Sequence, residues 1–238
     1  MASRRVHARA ATALLTLAAL SGCMIVRAPN HPELATVAQQ GDALALSDAL
    51  EALIAAGADT PNDREYAYEV VRQQDADTAA AAFARAAITG RVVQSKGLRG
   101  AGMLGDVEQY ARRSRNLDPG FRDGAATRLL GTLYVIAPAT LLEHGDSETG
   151  LELLEDLAKA RPDVPENHLR LAEAYVTLHD PDPAGPHLCF CLAHQADLRP
   201  DDQQLLKALL DEAGPLPCAT SAPAPAPTPK VPARRKRS

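Results

Sequence analysis

The sequence predicts an all-α protein, and three observations support this fold class. Alanine occupies 46 of the 238 positions, and aromatic residues make up only 3% of the chain. Alanine has the lowest cost of any residue in a helix, whereas β-sandwiches and barrels need β-branched and aromatic side chains to fill their faces. Apolar residues across 33–213 recur at helical spacing, and no segment shows the strict alternation that is typical of a strand.

Loop signals divide this region into short helices. Clear breaks occur at the glycine- and proline-containing segments 57–63, 117–120 and 161–163. The glycines between 90 and 105 punctuate a stretch that we expect to be helical in part. The predicted helices cover 33–56 (with a turn at Gly41-Asp42), 64–74, 75–88, 106–116, 122–137, 146–160, 165–178, 184–198 and 201–213.

The first 22 residues have the pattern of a secretory signal peptide. Three arginines precede an apolar stretch, residues 10–20, that is too short to span a membrane. The segment ends in Leu20-Ser21-Gly22-Cys23, which resembles the bacterial lipobox. That resemblance implies a diacylglyceryl thioether on Cys23, cleavage before it, and N-acylation with a chain such as palmitate. We expect residues 23–32 to form a tether, and the alternative is an ordinary signal peptide with a chance cysteine.

The last segment, residues 215–238, is predicted to be a disordered tail. Alternating Ala-Pro over 222–227 favours an extended polyproline-II conformation. Residues 219–238 also carry five Lys and Arg and no acid. Such a tail either contacts anionic lipid headgroups, the cell wall or an acidic partner, or is simply solvated.

The charge is unevenly distributed along the chain. The net charge is −5, but residues 1–22 contribute three arginines and the tail contributes five basic residues. The body between them therefore carries −13, which argues against nucleic-acid binding.

Short helices joined by short loops call for a search for repeats. The 34-residue tetratricopeptide (TPR) pattern combines small and large positions that allow two helices to nest. Partial matches occur at Tyr66-Ala67, Val70, Ala79, Phe83 and Ala86, at Leu130-Gly131, Tyr134, Gly150, Leu154, Leu157 and Pro162, and at Leu171-Ala172 and Tyr175. The interval from Gly131 to Leu154 is longer than the motif expects. We therefore predict a degenerate TPR-like αα-hairpin solenoid over 33–214, and we consider an ankyrin array less consistent with the spacing.

One stretch within this region carries a more specific resemblance. The run from Ser114 to Asp146 is similar to the hallmark region of the TRAP-transporter-associated TPR lipoproteins, the T components. The matching positions are Gly124, Arg128, Leu130, Gly131, Leu133, Tyr134, Ala137, Pro138, Gly145 and Asp146. The resemblance implies a periplasmic αα-repeat protein that assembles with a solute-binding protein, and it makes the long loop before Gly145 a family feature.

Two clusters of residues are candidate binding sites. His187, Cys191 and His194 fall on one face of a predicted helix, a spacing that suits zinc or copper. The alternative is that Cys191 packs in the core and the histidines lie on the surface. Among the remaining thiols, Cys218 is able to pair with Cys189 or Cys191 in an oxidising envelope.

The second cluster is basic. Arg112, Arg113, Arg115, Arg122 and Arg128 lie close together in the sequence, beside Asp118 and Asp123. They either line an anion-binding groove or form an exposed, salt-bridged helix face.

From the sequence we expect a non-enzymatic lipoprotein without a cofactor, since no nucleophile elbow, P-loop or HExxH motif is present. It is predicted to be lipid-anchored and to face the periplasm. Met24 replaces the Asp that retains some lipoproteins in the inner membrane, which favours the outer membrane. The expected partner is a protein or peptide, such as a periplasmic solute-binding protein, and oligomers are compatible with the sequence. The alternatives are a general envelope assembly scaffold and a metal-handling protein.

Overall fold

A computed structural model describes residues 27–216 and residue 218. The predicted signal peptide, Cys23, and nearly all of the predicted tail lie outside the described residues. The described part of the chain contains helices and no strand, which confirms the predicted all-α class. None of these helices combines the length and the apolar character that crossing a membrane requires.

Ten α-helices follow one another in the described residues. They are α1 (Pro32–Ala38), α2 (Ala43–Ala55), α3 (Pro61–Val71), α4 (Ala79–Lys96), α5 (Leu104–Leu117), α6 (Ala125–Ile136), α7 (Ser147–Ala160), α8 (Pro165–Thr177), α9 (Ala184–Ala193) and α10 (Pro200–Ala213). Short 3₁₀ turns occupy Gly97–Met103, Phe121–Asp123, Ala139–Leu141 and Gln195–Asp197.

Capping residues explain where the helices differ from the predicted ranges. Residues 33–56 divide at Gly41, which has a φ of +74°, and Asp42 then caps α2. The helix predicted for 75–88 begins later, because the Thr78 side chain accepts a hydrogen bond from Ala81 N. It also continues through Gly90 to Lys96, so the expected glycine break comes only at Gly97.

Asp63 fixes the start of the described chain to α3. The cap of α3 is Thr60, which forms a capping box with Asp63. The buried Asp63 carboxylate also accepts hydrogen bonds from Asn30 N (2.7 Å) and His31 N (3.0 Å). Burial alone would raise the pKa of Asp63, but hydrogen bonds from Thr60 and His31 outweigh it and lower the pKa to about 2.

The apolar core consists of four consecutive clusters. They are centred on residues such as Leu46 (α1–α4), Leu130 (α4–α6), Leu154 (α6–α8) and Leu188 (α8–α10). Each cluster takes side chains from helices that are neighbours in sequence. The core is therefore built stepwise along the chain.

The contacts between helices form a closed ring. Each even-numbered helix contacts the next one, through α2, α4, α6, α8 and α10, and α10 returns to contact α2. From α3 onward, each odd-numbered helix contacts the even-numbered helices that flank it in sequence. The first and last parts of the described chain are thereby brought together.

Candidate functional site

The contact between α2 and α10 is made by charged side chains. Arg91 of α4 binds the Glu51 carboxylate of α2 with both ends of its guanidinium, at 2.6 Å from Nε and 2.5 Å from Nη2. Arg199, the N-cap of α10, donates from Nη1 to the same carboxylate at 2.6 Å. Glu51 therefore joins three helices, and its partner Arg199 is 148 residues away in sequence.

This junction continues along α10 to α8. Arg199 contacts Asp201 (3.2 Å) and Asp202 (3.3 Å), and Arg170 of α8 donates to Asp202 at 2.6 Å. We call these residues, together with Arg128, the ring charge cluster. Its members are Glu51, Arg91, Arg128, Arg170, Arg199, Asp201 and Asp202. All of them lie on even-numbered helices or, in the case of Arg199, at the N-cap of one.

Hydrogen bonds determine the pKa values at the junction of Glu51, Arg91 and Arg199. Burial acts to raise the pKa of Glu51, but the hydrogen bonds from Arg91 and Arg199 dominate and lower it. Burial likewise acts against the charge of Arg91 and Arg199, and the bonds to Glu51 raise the pKa of both. The junction is therefore ionised at neutral pH and is only partly exposed, so screening by salt is weaker than for surface pairs.

Arg128 differs from the other arginines of the ring charge cluster. Its Nη1 donates to Asn167 Oδ1 at 2.5 Å, and within the described residues it forms no ion pair. Burial lowers its pKa, although the nearby carboxylates of Glu166 and Asp202 act in the opposite direction. The fully buried Asn167 in turn donates to Asp123 O at 3.4 Å, so that it links Arg128 to the backbone ahead of α6.

The glycines of the family-like motif have a packing role. A Cβ on Gly131 would lie 2.6 Å from Leu154 Cγ, and one on Gly150 would lie 2.7 Å from Gly131 O. A Cβ on Gly124 would clash with Leu157 at 2.4 Å, and Gly124 also has a φ of +81°. These glycines let α6 and α7 approach closely, and Leu130 is buried beside them.

The remaining motif positions hold the loop between α6 and α7. The buried Glu108 accepts hydrogen bonds from Tyr134 Oη (2.8 Å), Glu143 N (2.7 Å) and His144 N (2.8 Å). A Cβ on Gly145 would lie 2.3 Å from the Tyr134 ring. Pro138 begins the loop just after α6, and Asp146 caps α7 by accepting from Thr149 N at 2.9 Å. The motif therefore describes a hairpin, and Arg128 is the motif position that this packing does not explain.

The three predicted metal ligands are directed to different partners. His187 lies with Nδ1 2.8 Å from His168 Nδ1, and Cys191 donates to Pro165 O at 3.4 Å in the core. The partly exposed His194 stacks on Phe190. Among the described residues, no group of three or more His, Cys, Asp or Glu side chains is arranged to hold a metal ion. The structure thus does not bring His187, Cys191 and His194 together.

The cysteines follow one of the two pairings considered. Cys189 and Cys218 form a disulfide with Cα atoms 5.2 Å apart, and Cys191 is a free, buried thiol. Burial raises the pKa of Cys191 to about 12. Helical spacing explains the choice, because Cys189 and Cys191 point in different directions from α9.

Three arginines of the predicted basic cluster have separate partners and do not line one groove. Arg113 pairs with Asp77, and Arg122 binds both oxygens of Asp48 on α2 at 2.6 Å. Arg122 reaches α2 from a left-handed backbone conformation, with a φ of 46°. The salt-bridged alternative therefore describes these two residues, while Arg128 belongs to the ring charge cluster.

Sequence reasoning missed the junction of Glu51, Arg91 and Arg199. Each residue lies in or beside a predicted helix, but nothing in the local pattern links positions 51, 91 and 199. The presence of a Glu and two Arg on helices is also ordinary for a solvated face. The partner of His187, His168, was missed for the same reason.

The chain matches no family model and no curated protein.

Proposed function

We propose that this chain is a non-enzymatic, lipid-anchored protein of the bacterial envelope that binds a protein or peptide partner in the periplasm. Its body is a TPR-like αα-hairpin solenoid, and its role is that of an accessory to TRAP-type solute uptake. One observation carries the binding role. The even-numbered helices contact one another in a closed ring, and together they hold the ring charge cluster.

The contact pattern supports the solenoid. In a stacked array of helix pairs, one helix of each pair contacts its counterpart in the next pair, as α2, α4, α6, α8 and α10 do. The clusters of the core also follow one another along the chain. Such arrays present one series of helices as a continuous binding surface.

The anchor is supported by the sequence before the described residues. The cationic start, the short apolar stretch and the lipobox-like segment ending at Cys23 occur in the expected order. Several acyl chains on one residue hold a protein stably at a membrane. Met24 at the position after Cys23, in place of Asp, favours the outer membrane over the inner membrane.

The anchor is tested with Cys23→Ser. The wild-type chain is expected in the detergent phase after Triton X-114 separation, and the variant in the aqueous phase with an unchanged helical circular dichroism spectrum. A variant that remains in the detergent phase contradicts lipidation, and an unfolded variant contradicts the independence of body and anchor.

The partner is tested by co-purification of the full chain from solubilised membranes. We expect a periplasmic solute-binding protein to be recovered, and recovery to fall with Arg170→Gln but not with Arg72→Gln on the exposed surface of the chain. Recovery of envelope assembly factors without any solute-binding protein would contradict the role in solute uptake and favour the scaffold.

A further inference from the structure

Arg128 has N–H donors that bind no other described residue. A guanidinium has five N–H donors in a planar fork, and the hydrogen bond to Asn167 occupies one of them. The neighbouring arginines of the ring charge cluster bind carboxylates directly: Arg91 binds Glu51, and Arg170 binds Asp202. Arg128 has no such partner among the described residues.

This arrangement is costly unless a ligand compensates for it. A charged group that is largely withdrawn from water without a counter-ion destabilises the folded state. Burial lowers the pKa of Arg128, and the charges of Arg170 and Arg199 act in the same direction, against those of Glu166 and Asp202. The side chain nevertheless remains partly exposed, so that a ligand in solution has access to it.

Packing accounts for one edge of the Arg128 guanidinium only. Nη1 donates to Oδ1 of the fully buried Asn167 and so satisfies an acceptor on α8. The Nε and Nη2 atoms bind no other described residue, and neither is among the buried nitrogens that lack a partner. This second edge therefore faces solvent and takes no part in the packing.

We propose that Arg128 binds the carboxylate of a ligand through the free edge of its guanidinium. The carboxylate belongs either to a small organic acid or to an acidic or C-terminal residue of a partner peptide. The inference rests on the proposed function as a binding protein, for which it names the ligand chemistry.

A carboxylate fits better than a phosphate. Its two oxygens match the guanidinium fork in a bidentate pair, and its single negative charge balances the single unpaired arginine. The nearby acids Glu166 and Asp202 oppose the higher negative charge of a phosphate. Arg170 and Arg199 do not supply further charge, because both are already paired with Asp202.

The test measures binding to the full chain purified in detergent. The probes are sodium acetate, sodium benzoate, and a short peptide with a free C-terminus, each compared with sodium chloride at equal ionic strength and the peptide also with its C-terminal amide. We expect at least one carboxylate to raise the Tm and to shift the side-chain Nε–H signal of Arg128 in NMR spectra. Binding of the salts identifies a small acid, and binding of the peptide alone identifies a partner chain.

Substitutions separate binding from folding. Arg128→Met is expected to lower the Tm without ligand, because Oδ1 of the buried Asn167 loses its donor, and to lose the ligand-induced shift. Arg128→Lys, which keeps the charge without the fork, is expected to bind at least about tenfold more weakly. The matched control, Arg72→Met, alters an exposed arginine of α3's C-cap and is expected to bind as wild type does.

Three results would overturn the proposal. They are the absence of any carboxylate-induced change in the wild-type Tm and Arg128 signal, wild-type binding by Arg128→Met, and tighter binding of inorganic phosphate than of every carboxylate. If Arg128→Met fails to fold, the wild-type NMR titration still decides the question. Recovery of a partner protein without any carboxylate effect leaves the proposed function standing and removes this inference alone.

Discussion

The hairpin of α6 and α7 and the junction of α2 and α10 are held together in different ways. In the hairpin, Gly131 and Gly150 bring two backbones into contact across 19 positions of sequence, and Leu154 fills the space beside them. At the junction, Glu51 and Arg199 meet across 148 positions through a charged hydrogen bond. Close apolar packing specifies the local unit, and ion pairing joins distant units.

The difference has an energetic consequence. A glycine contact between backbones leaves no room for adjustment, so added atoms force the helices apart. A partly exposed ion pair can be lost without moving the backbone, and salt weakens it, although less than it weakens a surface pair. The hairpin is therefore expected to tolerate change poorly, and the junction is expected to respond gradually to charge and ionic strength.

The largest effect is expected from Gly150→Ala. Its Cβ would lie 2.7 Å from Gly131 O and 2.9 Å from Val135 N, so the backbones of α6 and α7 must separate. We expect a loss of about 2–4 kcal/mol in the free energy of unfolding, measured by urea denaturation. The matched control is Gly90→Ala within α4, where an added Cβ meets nothing within 4 Å and stability should rise by about 0.5–1 kcal/mol. Equal effects of the two variants would show that close approach is not what Gly150 provides.

The next effect concerns the loop of the hairpin. Glu108→Gln places an amide N–H against the N–H and O–H donors of Tyr134, Glu143 and His144. One buried donor then loses its acceptor, and we expect a loss of about 1–3 kcal/mol. Glu152→Gln on the exposed face of α7 is the control and should change stability by less than about 0.5 kcal/mol. A loop that stays protected from hydrogen exchange in Glu108→Gln would contradict this role.

The charged contacts can be tested by lowering the pH and measuring the free energy of unfolding. The pKa of Asp63 is lowered from 3.8 to about 2, so its contribution is present above pH 3.8 and is lost as the pH falls to about 2. This amounts to up to about 2 kcal/mol, and the lowered pKa of Glu51 adds a loss in the same direction. Unfolding free energies measured between pH 5 and pH 2 should decrease, and the decrease should be smaller in Asp63→Asn. Identical slopes for wild type and variant would remove Asp63 from this account.

The smallest effect is expected at Cys191. Its burial and a pKa raised to about 12 predict that it stays unmodified by a thiol reagent at pH 8 while the chain is folded. Mass spectrometry after treatment with iodoacetamide should show modification of Cys191 only after unfolding under non-reducing conditions. Rapid labelling of the folded chain would place Cys191 outside the core.

The two regions also differ in how far the sequence predicts them. The all-α class and the α6–α7 hairpin are visible locally, because Gly131, Tyr134 and Gly150 lie at positions where nested helices need small and large residues. Helix ends were less accurate where a cap such as Thr78 replaced an expected start. The metal hypothesis placed His187, Cys191 and His194 on one helical face, but the neighbouring helix α8 supplies closer partners for two of them, His168 and Pro165. Contacts between distant helices, such as that of Glu51 with Arg199, leave no local pattern to detect.

The most direct test of the account is a double-mutant cycle between Glu51 and Arg199. Unfolding free energies are measured for Glu51→Gln, Arg199→Gln and the double variant at low and high salt, with Glu69 and Arg72 of the exposed pair as the control cycle. The closed ring predicts a coupling of about 1 kcal/mol or more that decreases with salt, against at most about 0.5 kcal/mol for the control. A Glu51–Arg199 coupling no larger than that of the control would contradict a structure in which α2 and α10 are joined by charge.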